Sequence, residues 1–194
     1  MPVSINGNTG VITGLAVGGL PDGIVDADTL ATSVTRGKVL QVIQSVKTDT
    51  FSTTGGSLED ITGLSLSITP SATSSKILIT ATINHSITTY DRWMIFQLVR
   101  GSTAIFKGDT AGSRTSATIF NSLGNYTGSG VVIRNSHFEY LDSPNTTSAT
   151  TYKIQTTRQS DSAPYVVINR GRNDDDASYG GRSVSSITAM EVAA

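Results

Sequence analysis

From Lys38 to the end of the chain, apolar and polar residues alternate in short runs that predict β-strands. The alternation is clearest in residues 76–84, where every second residue from Ile77 to Ile83 is apolar, and it returns in Ser185–Val192. Ser, Thr, Gly, Pro and Asn cluster between the runs, as in turns. The predicted strands are 38–46, 64–69, 76–84, 92–100, 104–107, 117–123, 131–141, 151–157, 164–169 and 185–192. Many short strands without a helical stretch between them predict an all-β fold, an antiparallel β-sandwich or jelly roll.

Residues 1–37 follow a different pattern, in which apolar residues occur singly or in pairs and glycines interrupt every few positions. Neither a helical period nor a strand alternation persists there, although Asp28 is a candidate cap for one helical turn over residues 30–34. We predict an extended amino-terminal arm in residues 1–37, ordered by packing against other chains, and a β-sandwich head in residues 38–194. A solvated tail is the alternative for the arm.

The composition of the chain argues against several classes of binding partner. The 194 residues carry a formal net charge of -1 and 15% of them are charged, which argues against a general binder of nucleic acid or of membrane surfaces. Because cysteine is absent, disulfides and thiolate metal sites are excluded. The first residues lack the basic and apolar regions of a signal peptide, and no apolar run reaches the roughly 20 residues that cross a bilayer. We expect a protein that is made in a cytoplasm and stays reduced, and that leaves a cell by lysis or on a particle rather than by secretion.

Candidates for catalysis are few. The chain has two histidines, His85 and His137, and no nucleophile-elbow, zinc-protease, P-loop or dinucleotide-binding motif. We interpret both histidines as hydrogen-bonded surface or interface residues. Paired acids for glycoside hydrolysis would come from Glu59, Asp60, Glu139 and Asp142. Such hydrolases usually build a long groove from a much larger domain, so we predict a protein that is not an enzyme and has no cofactor.

The acidic run at residues 173–176 is the best candidate for a metal site. Hard cations take several oxygen ligands from a turn, and the carboxylates would be those of Asp174, Asp175 and Asp176. The ligand spacing and the closing glutamate of an EF-hand are absent. Three arginines flank the run and neutralise it without an ion, so a salt-bridged loop is the favoured interpretation and a calcium site the alternative. These arginines are Arg170, Arg172 and Arg182.

Aromatic residues make up only 6% of the chain. Residues 90–93, and Tyr126 in a loop rich in Gly, Ser and Asn, are candidates for stacking against a sugar ring. Trp93 alternates in phase with Ile95, which favours core packing for its side chain.

Phrases from both regions carry a resemblance to a known group. They are GLPDGIVD at residues 19–26 followed by TLA and KVLQV, and then LVRGSTAIFKGD, LDSPNTTSATTYKIQ and SSITAMEV in the head. The chain resembles tail-fibre and other virion structural proteins of marine and freshwater, cyanophage-like, tailed bacteriophages. Its carboxyl-terminal part is also similar to trimeric jelly rolls of the tumour-necrosis-factor and C1q type, a similarity that concerns fold only.

The resemblance implies a structural component of a virion, assembled in the host cytoplasm. The first hypothesis is a trimeric tail-fibre or spike subunit that docks by its arm and attaches to a host-surface glycan. The alternatives are a capsid decoration (cement) or collar protein without a receptor, and a virion glycan hydrolase. The partners would be further copies in a homotrimer, other virion proteins of the tail, portal region or capsid, and a host-surface saccharide.

Candidate residues follow from this hypothesis. The apolar residues that would anchor the arm in the virion are Val11, Ile12, Leu15, Leu20, Ile24 and Leu30. Loops concentrate binding residues on rigid β-scaffolds, and the receptor-binding candidates are Tyr90, Tyr126 and Tyr179. A homotrimer would cover apolar strand faces that a lone subunit exposes, and the candidates are Leu66, Ile68, Val131 and Ile133.

Overall fold

The computed structural model describes residues 4–6, 11–13, 38–87, 93–122, 131–158 and 166–193. The chain divides into two units, Met1–Gly37 and Lys38–Ala194, each described by itself. In the first unit, β1 (Ser4–Asn6) pairs antiparallel with β2 (Val11–Thr13). The sequence does not predict this pair, because three-residue strands are too short to show an alternation. The helical turn predicted over residues 30–34 lies outside the described residues.

The second unit is built from strands, with no helix among its described residues. The strands are β3 (Val39–Lys47), β4 (Phe51–Thr53), β5 (Glu59–Ile68), β6 (Lys76–Ile87), β7 (Trp93–Arg100), β8 (Thr103–Ile105), β9 (Ile119–Ser122), β10 (Arg134–Asp142), β11 (Thr150–Arg158), β12 (Val166–Ile168) and β13 (Ser185–Val192). Across the part of the chain that the structure describes, no helix is long and apolar enough to span a membrane. The prediction of an all-β antiparallel fold is confirmed, since each described pairing is antiparallel.

The strand order is that of a jelly roll. β12 and β13 lie one after the other along the same edge of β6. In the same way, β8 and β9 lie along one edge of β7. β3 pairs with β13, and β4 pairs with β12. Each of β3/β4, β8/β9 and β12/β13 is one interrupted strand, which leaves eight main strands. The first sheet has the order β3/β4, β12/β13, β6, β10, and the second has the order β5, β11, β7, β8/β9. Numbered along the chain, these orders are 1-8-3-6 and 2-7-4-5, the double Greek key of a jelly roll.

The core lies between the two sheets. It is formed by alternate residues of β5, β6, β7, β11 and β13, joined by Phe138 from β10 and by Val166 and Ile168 from β12. In β6 the alternation seen in the sequence places Ile77, Ile79, Ala81 and Ile83 in this core. Burial of such aliphatic side chains stabilises the fold by about 1.5–3 kcal/mol each relative to exposure.

The ends of the strands show where local pattern is a weak guide. Each predicted head strand overlaps an observed one, and Ser185–Val192 has the predicted bounds. β5 starts at Glu59 rather than at residue 64, because its polar first residues show no alternation. β10 starts at Arg134 rather than at residue 131. β4 was not predicted, since three residues carry too little pattern.

The apolar faces assigned to a trimer contact are a first correction. Leu66 and Ile68 are in the core, with 7% and 1% exposure, so they cannot cover a neighbouring subunit. Val131 and Ile133 are half-buried and precede β10. The exposed apolar residues lie elsewhere, and five of them belong to β3 and β10: Val39, Leu40, Val42, Val46 and Leu141.

Trp93 is a second correction. Its strand is buried on both faces, so alternation in phase with Ile95 does not identify the core side. The core side holds Met94, Phe96 and Leu98. Trp93 is half-buried on the opposite face, where its ring stacks on the exposed ring of Phe120 with 5.6 Å between centroids.

Candidate functional site

The connection between β12 and β13, which we name the 169–184 loop, leaves the first sheet and returns beside its starting point. Ile168 at the end of β12 pairs with His85 of β6, and Ser186 of β13 pairs with Thr82 on the same edge. The loop is therefore an excursion from one interrupted strand, and the sheet holds both of its ends.

Asn169 forms the base of the loop. It is fully buried and has a φ of 64°, a left-handed conformation that asparagine adopts more readily than most residues. Its amide donates to the carbonyl of Asn84 at 2.8 Å, and its carbonyl accepts from the amide of Ser183 at 3.0 Å. The chain turns out of the sheet here with both backbone groups paired, as burial requires.

The side chain of Asn169 joins separate segments of the head. Its Nδ2 donates to the carbonyl of Lys47, the last residue of β3, at 2.8 Å and to that of Asp49, in the turn before β4, at 2.9 Å. Its Oδ1 accepts from the hydroxyl of Ser185 at 2.6 Å. That hydroxyl also accepts from the amide of Asn84 at 2.9 Å. The base is thus a buried network in which every polar group of Asn169 has a partner, which makes it rigid.

Ion pairs hold the loop above its base. Arg170 and Arg182 form an isolated β-bridge. The carboxylate of Asp174 accepts from Nη1 of Arg182, and Nε of Arg170 lies 4.0 Å from its second oxygen. The hydrogen bond from Arg182 holds the pKa of Asp174 below its ordinary value. Asp174 therefore belongs to the salt-bridged loop that the flanking arginines favour.

The tip of the loop, residues 175–180, is a tight turn. The amide of Ala177 donates to the carbonyl of Asp175 at 3.0 Å, and the amide of Gly180 donates to the carbonyl of Ala177 at 2.8 Å. A Cβ atom on Gly180 would lie 2.5 Å from the carbonyl oxygen of Asp175, so this position requires glycine. Tyr179 lies in the turn with 67% of its surface exposed.

A polar depression of about 270 Å³ opens beside the tip, lined by residues 174–177 and 180–182. Carboxylates accept hydrogen bonds from hydroxyl groups, and an exposed tyrosine ring stacks on apolar C–H surfaces. The carboxylates at the depression suit the hydroxyls of a ligand, and the ring of Tyr179, which lies in the same turn but does not line the depression, suits C–H patches. The loop thus presents a small polar and aromatic surface on a rigid base.

The three acids of this loop are not assembled as metal ligands. Asp174 is engaged by two arginines, and Asp175 and Asp176 are exposed. Within the described ranges, no group of three or more His, Cys, Asp or Glu side chains is arranged to hold a metal ion.

Two of the three candidate receptor tyrosines, Tyr90 and Tyr126, lie outside the described residues. The described residue that follows Tyr90 most closely is Trp93, and the one that precedes Tyr126 most closely is Ser122. Trp93 and Ser122 are direct partners in the pairing of β7 with β9. Only Tyr179 is placed by the structure.

The candidate anchoring residues fall in the first unit. Val11 and Ile12 belong to β2, which pairs with β1. The other four lie outside the described residues: Leu15, Leu20, Ile24 and Leu30.

The four acids considered for glycoside hydrolysis are not brought together as a catalytic pair by their contacts. Glu59 accepts from the hydroxyl of Thr53 at 2.6 Å, and Asp60 accepts from Lys153 and Gln155, each at 2.8 Å. The hydrogen bond from Lys153 lowers the pKa of Asp60. These contacts are structural, since they pair neighbouring strands and loops.

Asp142 is the buried member of the four. Its carboxylate accepts from Nη1 of Arg100 at 2.8 and 2.9 Å and from the hydroxyl of Tyr152 at 2.6 Å. Burial and the bond to Asp142 raise the pKa of Tyr152. Glu139, in contrast, is exposed on β10. Asp142 is thus buried and Glu139 is exposed. The carboxylate of Asp142 is already hydrogen-bonded to Arg100 and Tyr152.

The two histidines differ in burial, and only the interpretation of His85 as a surface or interface residue is corrected. His137 is exposed on β10, with its Nδ1 3.1 Å from the hydroxyl of Thr82. His85 is completely buried, and its Nε2 lies 2.8 Å from the hydroxyl of Ser136. Burial lowers the pKa of His85 to about 4. β6 continues past His85 to Ile87, so the residue is internal to the strand rather than at its end.

The sequence gives no indication of the role of Asn169. Its left-handed conformation and its bonds to Lys47 and Asp49 join positions more than a hundred residues apart. The one local signal is an Asn directly after a β-branched run and before Arg-Gly-Arg, a pattern typical of a turn.

No protein-family model matches this sequence, and no curated protein sequence matches it. Among solved structures, the chain is similar to one of infectious bursal disease virus, Gt strain, at 15% identity and a TM-score of 0.41, over 90% of this chain and 43% of that chain. It is also similar to the VP2 subviral particle of the same virus, at 15% identity and a TM-score of 0.38, over 79% and 38%. The chain spans less than half the length of these chains. The similarity carries no functional argument.

Proposed function

We propose that this chain is a structural subunit of a virus particle, a tail-fibre or spike subunit of a tailed phage that docks through residues 1–37 and presents the jelly-roll head outward. The observation that carries the proposal is an eight-stranded jelly roll in a chain whose phrases resemble phage structural proteins. Jelly rolls of this kind build viral capsid and lectin domains. Since a fold alone does not specify function, the outward role depends on the side chains of the 169–184 loop.

The outward function is weak binding of a host-surface saccharide by the tip of the 169–184 loop. Tyr179 offers an exposed ring in the same turn as Asp175 and Asp176, and these two acids line a polar depression of about 270 Å³. A saccharide surface alternates C–H patches with hydroxyls, which match these groups. Several copies in one assembly would multiply weak contacts through effective concentration.

The alternative is a capsid decoration or collar protein without a receptor. It is favoured by the exposed apolar side chains of Val39, Leu40, Val42 and Leu141, which are typical of a surface that other proteins cover. Adsorption assays separate the two functions, because only the fibre or spike subunit contributes to binding of host cells.

Deletion of residues 1–36 tests the proposal. Because the head has its own core and strand order, the deleted chain should remain folded, with unchanged β-sheet circular dichroism. The deletion should abolish incorporation of the chain into phage particles, measured by mass spectrometry of purified virions. Absence of the full-length chain from purified wild-type virions would refute the virion role. An unfolded head after the deletion would refute the boundary at residue 37.

A further inference from the structure

β3 exposes the more apolar of its two faces. Leu40, Val42 and Val46 point away from the core and are 49%, 55% and 52% exposed. The inward phase of the strand holds Gln41, Ile43, Ser45 and Lys47. A strand with one face in water has the opposite arrangement, apolar inside and polar outside. This inversion indicates that the outer face of β3 is not a solvent face.

The inversion continues across the first sheet as an apolar row. Val42 pairs with Met190 of β13, Met190 pairs with Leu78 of β6, and Leu78 pairs with Leu141 of β10. Direct partners in antiparallel strands point to the same face. The row therefore crosses all four strands on the side away from the core, and its two ends, Val42 and Leu141, are 55% and 52% exposed.

The rows beside the apolar row are polar and mostly uncharged. Gln44 donates to the hydroxyl of Thr188 at 2.9 Å, and the hydroxyl of Thr82 lies 3.1 Å from His137. These groups are partly satisfied within the sheet, which lowers the cost of covering them. The charged side chains of the outward phase on these four strands are Lys76 and Glu139, of opposite sign.

The size of this face is that of a specific protein contact. Four strands about 4.8 Å apart, each about nine residues long at about 3.4 Å per residue, give about 600 Å². A standard interface buries about 800 Å² per partner, and casual crystal contacts bury less than about 400 Å². A partner that covers the face and its margins therefore reaches the standard range.

We propose that a second copy of this chain covers the outer face of the β3–β13–β6–β10 sheet. An almost uncharged face of Thr, Ser and Gln around an apolar row matches a partner of the same character, and the same face on another copy has it. Lys76 and Glu139 have opposite signs, so self-association brings no excess of like charge together. The inference rests on the self-association assumed by the proposed function, and it identifies the surface responsible.

The test is the oligomeric state of the full chain and of a double variant, Val42→Glu with Leu141→Glu. Mass photometry and sedimentation should show the wild type as a multiple of 20.3 kDa. Contact between the same face of two copies has two-fold symmetry, so the unit expected from this contact is a pair of chains. The variant places carboxylates at both ends of the apolar row, and like charges in an interface cost several kcal/mol. Its dissociation constant should rise at least about 100-fold, with an unchanged circular dichroism spectrum.

A matched control carries the same added charge elsewhere. Leu58 and Phe120 are 42% and 52% exposed and lie outside the first sheet, so Leu58→Glu with Phe120→Glu should leave the oligomer intact. A wild type that stays monomeric at micromolar concentration overturns the inference, even if the chain is found in virions. If Val42→Glu with Leu141→Glu associates as tightly as the wild type, the chain self-associates through another surface and the inference is overturned. A monomeric wild type whose double variant fails to enter particles would show that another virion protein covers the face.

Discussion

The base and the tip of the 169–184 loop differ in almost every physical property. At the base, Asn169 is fully buried and each of its polar groups has a partner. At the tip, Tyr179 is 67% exposed, and the turn is held by backbone hydrogen bonds around Gly180. The contrast shows that long-range contacts position the loop at its base. The side chains at the tip can therefore be substituted without disturbing the core.

The largest effect is expected at the base. Asn169→Ala removes the side-chain bonds to Lys47, Asp49 and Ser185 and places a less tolerant residue at a φ of 64°. Unpaired buried groups and the strained backbone should together lower the free energy of unfolding by about 3 kcal/mol or more. Urea denaturation measures this loss.

Asn169→Gly separates the two causes. Glycine adopts the left-handed conformation without strain but makes none of the side-chain bonds, so it should recover about 1 kcal/mol relative to alanine. Equal losses for the two variants would mean that backbone strain at the base is negligible.

Acid should weaken the base through His85, which pairs with Ile168 just before the loop. Burial lowers the pKa of His85 from 6.5 to about 4. The unfolded chain therefore binds the proton first, and stability falls as the pH drops from 6.5 toward about 4. Because the unfolded histidine is only half protonated at pH 6.5, the slope reaches its limit of about 1.4 kcal/mol per pH unit only at lower pH, and the loss between pH 6.5 and pH 5 is about 1.5 kcal/mol.

The control for acid is His85→Gln, which has no group that titrates in this range. Denaturation at pH 6.5 and pH 5 should show a smaller loss for the variant than for the wild type, by about 1.5 kcal/mol. Parallel losses in the two proteins would assign the acid sensitivity to other groups.

A smaller effect is expected from Gly180→Ala at the tip. The new Cβ would approach the carbonyl oxygen of Asp175 to 2.5 Å, and a backbone atom cannot move away cheaply. Overpacking of this kind costs about 1–3 kcal/mol, and the lower end applies to a surface turn. Gly181→Ala is the matched variant, because its Cβ would meet only the side chain of Ile133, at 3.2 Å. Thermal melting should rank Gly180→Ala below Gly181→Ala, and the reverse order would contradict the described turn.

The smallest effect on stability is expected at Tyr179. Tyr179→Ala removes an exposed ring, so its free energy of unfolding should change by less than about 0.5 kcal/mol. Adsorption of phage to host cells should fall, and fall further when Tyr90→Ala and Tyr126→Ala are added. Unaltered adsorption by phage carrying all three changes would favour the decoration or collar function.

Much of the fold could be predicted from the sequence, because alternation is a local property. β6 and β13 have clean two-residue periods, and both were predicted within a few residues of their observed ends. The prediction of core packing for Trp93 was wrong because both faces of β7 are buried. In β3 the more apolar phase faces outward, so its alternation alone does not identify the core side.

The candidate site was predicted in part. The run of three acids with flanking arginines indicated a salt-bridged loop, and Asp174 is paired with Arg182 and Arg170. The base of the loop could not be predicted, because Asn169 acquires its role from the β3–β4 turn, which is distant in sequence. The same holds for His85, whose burial depends on strands that pack over it.

The sequence by itself determined the class of the fold and the approximate positions of its strands, since these follow from period, turn residues and the lack of helical patterns. Only the tertiary structure decided the jelly-roll order, the inward side of β3 and β7, and the partners of Asn169, Asp142 and His85. The physical reason is that pairing and burial are non-local. A strand's own residues specify two faces, but the neighbouring strands decide which face is enclosed.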